Sequence, residues 1–342
     1  MDIVKEGISN IYTLGKVDKH CGKPILDIAY GVDNDFLLGA AISMQSIALH
    51  NSDILLRFHI FTDSINDDYL KRVKDFTNSR KNTLVRIYKI SDGFNKIFPS
   101  ARQWSYATFF RFIAFEYLSG ECDKVLYLDA DVICKGNLYE LFEIKFDRNH
   151  FVAVVRDIPY MQGKPAIRLN IDNLAGNYFN AGVIFIMLSE WKSRKLSEKA
   201  INMLADDPMH VKYKCLDQDI LNILFFSHCL FMSGNYNCFY GLDYELKNKD
   251  ANEYKKTIHE DTKLIHYVGV TKPWHNWTDY PCQKFFNDAF LGSAWCDIPL
   301  SNAKGEKQLK LKYRHYRKSG CYISATFSYS RYIFEKLKRI MR

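Results

Sequence analysis

Lys124-Val125-Leu126-Tyr127-Leu128-Asp129-Ala130-Asp131 is a short apolar run that ends on two carboxylates. An unbroken apolar run of this length, without polar alternation, reads as a strand buried on both faces, as in a parallel sheet. Alternate residues of a strand share a face, so the carboxylates at 129 and 131 can both reach one divalent ion from the strand end. Open α/β sheets bind their ligands at the carboxyl ends of their strands. The same pair also reads as capping or solvated aspartates, because Asp is common where strands turn.

Outward from this stretch, residues 26–31, 57–62 and 84–90 read as strands, while 36–49, 67–78 and the aromatic-rich 106–118 read as helices. Strands alternating with helices predict an α/β domain with a mainly parallel sheet. Downstream, 151–155 and 182–188 read as strands and 217–226 as a helix. The body is expected to close near Tyr267, with Trp274, Trp277, Tyr280, Pro281 and Trp295 in irregular chain. A Leu-Asp-Ala-Asp-Val run is also the nucleophile strand of aspartyl-phosphate phosphatases. In that class the strand opens the domain, whereas here three strands precede it.

The 342 residues are 47% hydrophobic and 25% charged, the composition of a folded chain and not of a disordered one. Nine cysteines without a CxxC pair or repeated spacing suggest neither a disulfide framework nor a zinc ribbon, and read as buried reduced thiols. The start, Met1-Asp2-Ile3-Val4-Lys5-Glu6, has no basic and apolar signal pattern, and no apolar run is long enough to span a bilayer, so a cytoplasmic chain is expected. The net charge is +8, yet from Lys304 onward twelve Lys/Arg face two Glu, so the end of the chain alone carries +10. There Ile333, Phe334, Leu337, Ile340 and Met341 recur at helical spacing among Arg331, Lys336, Lys338, Arg339 and Arg342. This pattern predicts a basic amphipathic helix at an anionic membrane surface. The alternative is a helix docked on the protein's own body. Nucleic acid is not expected, since no recognition motif accompanies the charge. The expected division is an N-terminal extension at 1–24, a catalytic domain at 25–280 and a membrane-association region at 281–342; oligomeric state is not legible.

His266 follows Leu264-Ile265, with Gly269, Lys272, Pro273, Trp274 and His275 close behind. A neutral imidazole can complete a metal site, Gly269 lets backbone approach a phosphate, and Lys272 brings a positive charge to it. Taken singly, His266 reads as a core histidine, Asn180-Ala181-Gly182 as a turn, and Asp217 and Asp219 as charges opening a helix.

Six ordered segments carry a resemblance. They are Gly31-Val32-Asp33-Asn34-Asp35-Phe36, Thr108-Phe109-Phe110-Arg111-Phe112, Tyr127-Leu128-Asp129-Ala130-Asp131, Tyr178-Phe179-Asn180-Ala181-Gly182-Val183, Leu216-Asp217-Gln218-Asp219-Ile220-Leu221-Asn222 and the stretch from His266 to His275. Together they resemble the motifs of family 8 retaining glycosyltransferases, and within that family those of bacterial lipopolysaccharide outer-core glucosyl- and galactosyltransferases. The resemblance implies a GT-A fold, a UDP-hexose donor, Mn²⁺ or Mg²⁺, a lipopolysaccharide core acceptor and work at the cytoplasmic face of the bacterial inner membrane. It further implies that Gly31, Val32, Asp33, Asn34, Asp35 and Phe36 hold uracil and ribose, and that Asp129, Asp131 and His266 bind metal. Gly269 and Lys272 would hold the diphosphate. Arg111, Ala130, Asn180, Gly182, Asp217 and Gln218 would line the donor, and Asp157 would lie near sugar or acceptor. The sequence departs from the family pattern at Asp35, where Asn is common, and at Phe36, where Tyr is common; stacking on the base survives.

Gln218, Asp217 and Asp157 are the candidate catalytic residues. Retaining glycosidases usually employ a carboxylate nucleophile. Gln218 at the expected back-face position is a poor one, which favours a front-face route with electrostatic stabilisation. UDP-glucose and an α-1,2 linkage are favoured over UDP-galactose and α-1,3. Self-glucosylating glycogen-primer synthesis and a non-catalytic carbohydrate-binding shell are the other readings.

Overall fold

The computed structural model describes residues 7–17, 22–91 and 106–341. Its strands are β1 (Ile8–Gly15), β2 (Ile25–Val32), β3 (Leu55–Thr62), β4 (Thr83–Ile90), β5 (Lys124–Leu128), β6 (Val132–Cys134), β7 (Val152–Arg156), β8 (Phe179–Met187), β9 (Cys229–Phe231), β10 (Cys238–Phe239) and β11 (Leu264–His266). The α-helices are α1 (Leu37–His50), α2 (Asp67–Asn78), α3 (Phe110–Leu118), α4 (Pro159–Leu169), α5 (Leu188–Ser193), α6 (Leu196–Ala205), α7 (Asp217–Leu224), α8 (Lys284–Leu291), α9 (Gly305–Lys318) and α10 (Tyr322–Ile340).

Eight strands form one sheet in the order β1-β4-β3-β2-β5-β8-β7-β9. The run β4-β3-β2-β5 is parallel, as expected from the alternation of strands and helices. The sheet then changes sense: β8 is antiparallel to both β5 and β7, and β9 rejoins β7 in parallel. Leu126 and Leu128 of β5 face one apolar core, with α1, α2 and α8, while Val125 and Tyr127 face a second, with α3, α5, α6 and α7. Burial on both faces explains the continuous apolar run in the sequence.

The chain before β2, expected to be an extension, contributes β1, an edge strand antiparallel to β4. Its polar, half-exposed sequence Ile8-Ser9-Asn10-Ile11 carries little strand signal. A second correction concerns the region after Tyr267. It is not irregular throughout, since α8 lies within it, and Trp274, Trp277 and Trp295 are buried. The Trp295 ring packs against Tyr69 and Phe76 of α2. Aromatic packing of this kind holds a segment without leaving a period in the sequence. Likewise 106–118 opens with a 3₁₀ turn at Tyr106–Phe109 before α3 begins.

A small sheet, β10-β11-β6, lies beyond the carboxyl end of β5. At the end of the chain α9 and α10 form a helical hairpin with Leu309, Ala325, Ser328 and Tyr332 buried. Phe334, Leu337, Ile340 and Met341 are exposed, and the exposed apolar stripe extends back through Phe327, Ile323 and Tyr322. Ile333 is half-buried, and Arg342 lies outside the described residues. Among the described residues no helix is long and apolar enough to cross a membrane.

Candidate active site

Strand β5 ends at Leu128, and residues 129–131 turn directly into β6, closed by a bond from Val132 N to Asp129 O at 3.1 Å. The two carboxylates are therefore brought together by a tight turn and not by strand alternation. Strand β6 pairs with β11 in a register that sets Val132 opposite His266, which delivers the imidazole to Asp131. One ligand atom from each of Asp129, Asp131 and His266 falls within 4.8 Å of the others.

The orientation of His266 is set by a residue the sequence did not flag. Asn237 is buried, and its Oδ1 lies 3.0 Å from His266 Nδ1, while its Nδ2 donates to Asn180 Oδ1 at 3.0 Å. With its amide oriented this way, Asn237 accepts from Nδ1–H, which leaves the Nε2 lone pair toward Asp131 Oδ1 at 3.2 Å. Gly182 makes room for the ring. A Cβ there would stand 2.3 Å from His266 Cε1.

Arg111 is buried in the first turn of α3 and is saturated by protein acceptors. It donates to Asp129 Oδ1 at 2.9 Å and Ala181 O at 2.7 Å, pairs with Asp217 Oδ2 at 2.9 Å, and lies over the Tyr127 ring. It thus meets the site as a strut behind two carboxylates. Burial pushes the Asp217 carboxyl up to about 7, against the pull of Arg111 and with a further push from Asp129. Arg111 itself stays firmly charged, since these carboxylates outweigh its burial.

Gln218 lies in the first turn of α7. Its Nε2 donates to Asp157 Oδ2 at 2.9 Å, and its Oε1 accepts from Ala181 N at 3.1 Å and Asn180 Nδ2 at 3.2 Å. Burial raises the Asp157 carboxyl above its ordinary range. The helix starts from Leu216 at φ 47° and ψ −119°, a conformation that L side chains rarely adopt. Asp219, one turn position on, is wholly buried against Arg168 and the Tyr178 hydroxyl, a structural role.

The loop 31–36 leaves the carboxyl end of β2, beside β5. Gly31 N donates to Tyr127 Oη at 3.2 Å and Val32 is buried; Asp33 Oδ1 accepts from Asp35 N at 3.0 Å. Asn34 is exposed, Asp35 pairs with Lys304 at 2.6 Å, and Phe36 sets its edge against Trp274. On the other flank Gly269 takes φ +99°, which only glycine adopts readily. The Lys272 ammonium is buried on Asp131 Oδ2 and also donates to Tyr267 O at 3.1 Å. Burial alone would raise the Asp131 carboxyl, but the Lys272 ammonium holds it well below the usual range. The residues assigned from sequence to metal, donor and catalysis thus gather beyond the carboxyl ends of the parallel strands. A cavity of about 600 Å³ around Asp27, Arg57 and Cys122 opens at the opposite, amino edge and takes no part in this cluster.

The pattern of Glycosyl transferase family 8 matches residues 27–278, and that of the family 8 C-terminal region matches 280–336. The chain is 35% identical over 306 residues to a lipopolysaccharide 1,2-glucosyltransferase of Escherichia coli, covering 90% of each chain. It is 36% identical to a lipopolysaccharide 1,3-galactosyltransferase of Salmonella typhimurium, covering 93% of this chain and 94% of the relative. The solved structure of the galactosyltransferase LgtC with donor and acceptor sugar analogs shares the fold, at TM-score 0.62 and 23% identity, over 84% of this chain and all of that one. The fold is therefore GT-A. With the Asp129–Asp131 turn, the His266 register and the Gln218 turn accounted for, the match along the chain makes this protein a member of glycosyl transferase family 8.

Proposed function

We propose that the chain transfers a hexose from a UDP-sugar, UDP-glucose in the first place, to the outer core of lipopolysaccharide with retention of anomeric configuration. The observation that carries this reading is the Asp129, Asp131 and His266 cluster, beside the Gln218 turn and the 268–272 loop. Two carboxylates and an imidazole presenting Nε2 are a donor set suited to Mn²⁺ or Mg²⁺. Such an ion, when bound, neutralises the diphosphate as the sugar departs. Gly269 would admit the diphosphate close to the backbone and Lys272 would supply charge to it. Loop 31–36 would hold uracil and ribose, with Phe36 as the stacking face.

Gln218, held by Asp157 on one side and Asn180 and Ala181 on the other, would lie beneath the anomeric carbon and favour the oxocarbenium-like state through its amide dipole. A front-face route, in which the leaving phosphate oxygen takes the acceptor proton, fits a site whose back-face group is an amide. The comparable identity to a 1,3-galactosyltransferase favours UDP-galactose as the second reading. A donor panel with truncated lipopolysaccharide, with the product anomer read by NMR, tests both. Transfer from neither donor, with no metal-dependent donor hydrolysis, would leave the non-catalytic carbohydrate-binding shell.

The α9–α10 hairpin is read as a peripheral anchor on the anionic cytoplasmic face of the inner membrane. The exposed stripe along α10 is flanked by Arg331, Lys336, Lys338 and Arg339, the arrangement of an interfacial helix. Its nineteen residues span about 28 Å. Each Lys/Arg near an anionic leaflet contributes about 1 kcal/mol, so four suffice for stable docking alongside the apolar stripe.

A further inference from the structure

His315 lies in the last turn of α9, in the basic region that the sequence assigns to membrane contact, yet it is 1% exposed. Its Nε2 is 3.0 Å from Asp243 Oδ1 and 3.4 Å from Thr271 Oγ1, and its Nδ1 is 2.8 Å from Tyr280 Oη. Thr271 Oγ1 in turn donates to Asp243 Oδ1 at 2.6 Å. These contacts satisfy one proton assignment throughout. The Thr271 hydroxyl and His315 Nε2–H donate to the Asp243 carboxylate, and the Tyr280 hydroxyl donates to Nδ1.

Thr271 stands between Gly269 and Lys272, the two residues proposed to hold the diphosphate. Asp243 lies against the same loop, because a Cβ at Gly269 would meet Asp243 Oδ2 at 3.4 Å. A loop that starts at a positive-φ glycine has few conformational restraints of its own. Here it is clamped from behind by a carboxylate, and the carboxylate is clamped by a helix residue 72 positions downstream. Nothing in the Asp129, Asp131, His266 and Gln218 cluster needs His315 for its own geometry.

We propose that His315 is a positioning residue for the donor: through Asp243 and Thr271 it fixes the 268–272 loop in the conformation that accepts a nucleoside diphosphate. This rests on the reading of Gly269 and Lys272 as the diphosphate loop. The last turn of α9 then belongs functionally to the donor site as well, and the exposed apolar stripe of the anchor is carried by α10.

The test compares full-length wild type with His315→Leu, His315→Gln, Thr271→Val and Lys272→Ala. UDP affinity is measured by calorimetry with Mn²⁺ present, and KM and kcat for metal-dependent UDP-glucose hydrolysis are measured separately. Loss of charge-assisted hydrogen bonds behind the loop is expected to weaken UDP binding and raise donor KM about tenfold in His315→Leu. Its kcat is expected to change less than about threefold, and His315→Gln, whose amide can still donate to Asp243, is expected to recover most of the loss. Thr271→Val, which removes one bond and keeps the helix contact, is expected to shift UDP affinity in the same direction by about threefold; it decides the matter if His315→Leu does not fold. UDP affinity unchanged in a folded His315→Leu or in Thr271→Val overturns the proposal, as does a His315→Gln no better than His315→Leu. Undiminished UDP affinity in Lys272→Ala overturns instead the assignment of the diphosphate loop.

Discussion

The carboxylate turn after β5 and the helical hairpin at the end of the chain are built on opposite plans. The first gathers Asp129, Asp131 and His266 from segments more than 130 residues apart and leaves their environment mostly buried, with every neighbour satisfied by another. The second is assembled from adjacent residues, is strongly basic, and leaves apolar side chains in solvent. A site built by long-range contacts fails all at once when a member is removed, whereas an anchor built by repetition fails by degrees. The hairpin is itself divided by this contrast, since His315 ties α9 to the first plan while α10 follows the second.

Removing a metal ligand is the sharpest way to break the comparison. Asp131→Ala is expected to lower transfer on the order of a thousandfold or more, through lost stabilisation of the leaving diphosphate, and chelation should do the same reversibly. Full activity in chelator, or a loss under tenfold, would remove the metal assignment. Next comes the anchor as a whole. A chain ending after Gly320 keeps α9 and loses α10, so it should retain donor hydrolysis but bind anionic vesicles at least about a hundredfold more weakly at low salt. A cut at Lys304, the boundary that composition alone indicates, would also remove His315 and confuse the two effects. Cosedimentation equal to the full chain would show that α10 is not the anchor.

Gln218→Ala is expected to lower kcat about a hundredfold with little change in donor KM, as befits a group that acts mainly in the transition state. An effect confined to KM would make it a binding residue. Asn237→Ala tests whether one polar neighbour matters to the cluster; freeing the His266 ring should cost roughly tenfold or more in Mn²⁺ affinity, measured by titration without donor. An affinity within twofold of wild type would contradict it. The smallest change is expected on the stripe, where Phe334→Ser should weaken vesicle binding by only about fivefold, because its neighbours remain. A collapse of binding from that single change would mean that α10 docks through one specific pocket.

The same contrast accounts for what was legible in the sequence. The strands β2, β3 and β5 and helix α1 announce themselves by nearly continuous apolar runs, because they are buried on both faces, and β4 and α2 by the period that one-sided burial imposes. Asp129, Asp131, Gln218 and the 31–36 loop are visible because six motifs keep their order. Asn237 is not, since a single Asn near aromatic residues has no local signature and its partners lie 29 and 57 residues away. His315 is hidden more thoroughly, because the basic residues around it describe a surface that this side chain turns away from. Trp295 shows the same limit in the core: its contacts with Tyr69 and Phe76 cross more than two hundred residues and leave no period. β1 escaped for the opposite reason, as an edge strand with one poorly covered face.

Leu216 places two demands on one residue. The backbone at φ 47° and ψ −119° asks for glycine, while the side chain is 2% exposed in the apolar core under α7 and asks for volume. Glycine would ease the dihedral and leave a cavity; leucine fills the cavity and keeps a strain of order 1–3 kcal/mol. With leucine, the turn holds Asp217 and Gln218 only as long as the core beneath it stays packed. Loosening that core, by heat or by a trimmed side chain at Ile220 or Leu221, would let the turn relax before the sheet unfolds. Activity would then decline at a lower temperature than secondary structure, a separation that belongs to this turn and not to the metal cluster.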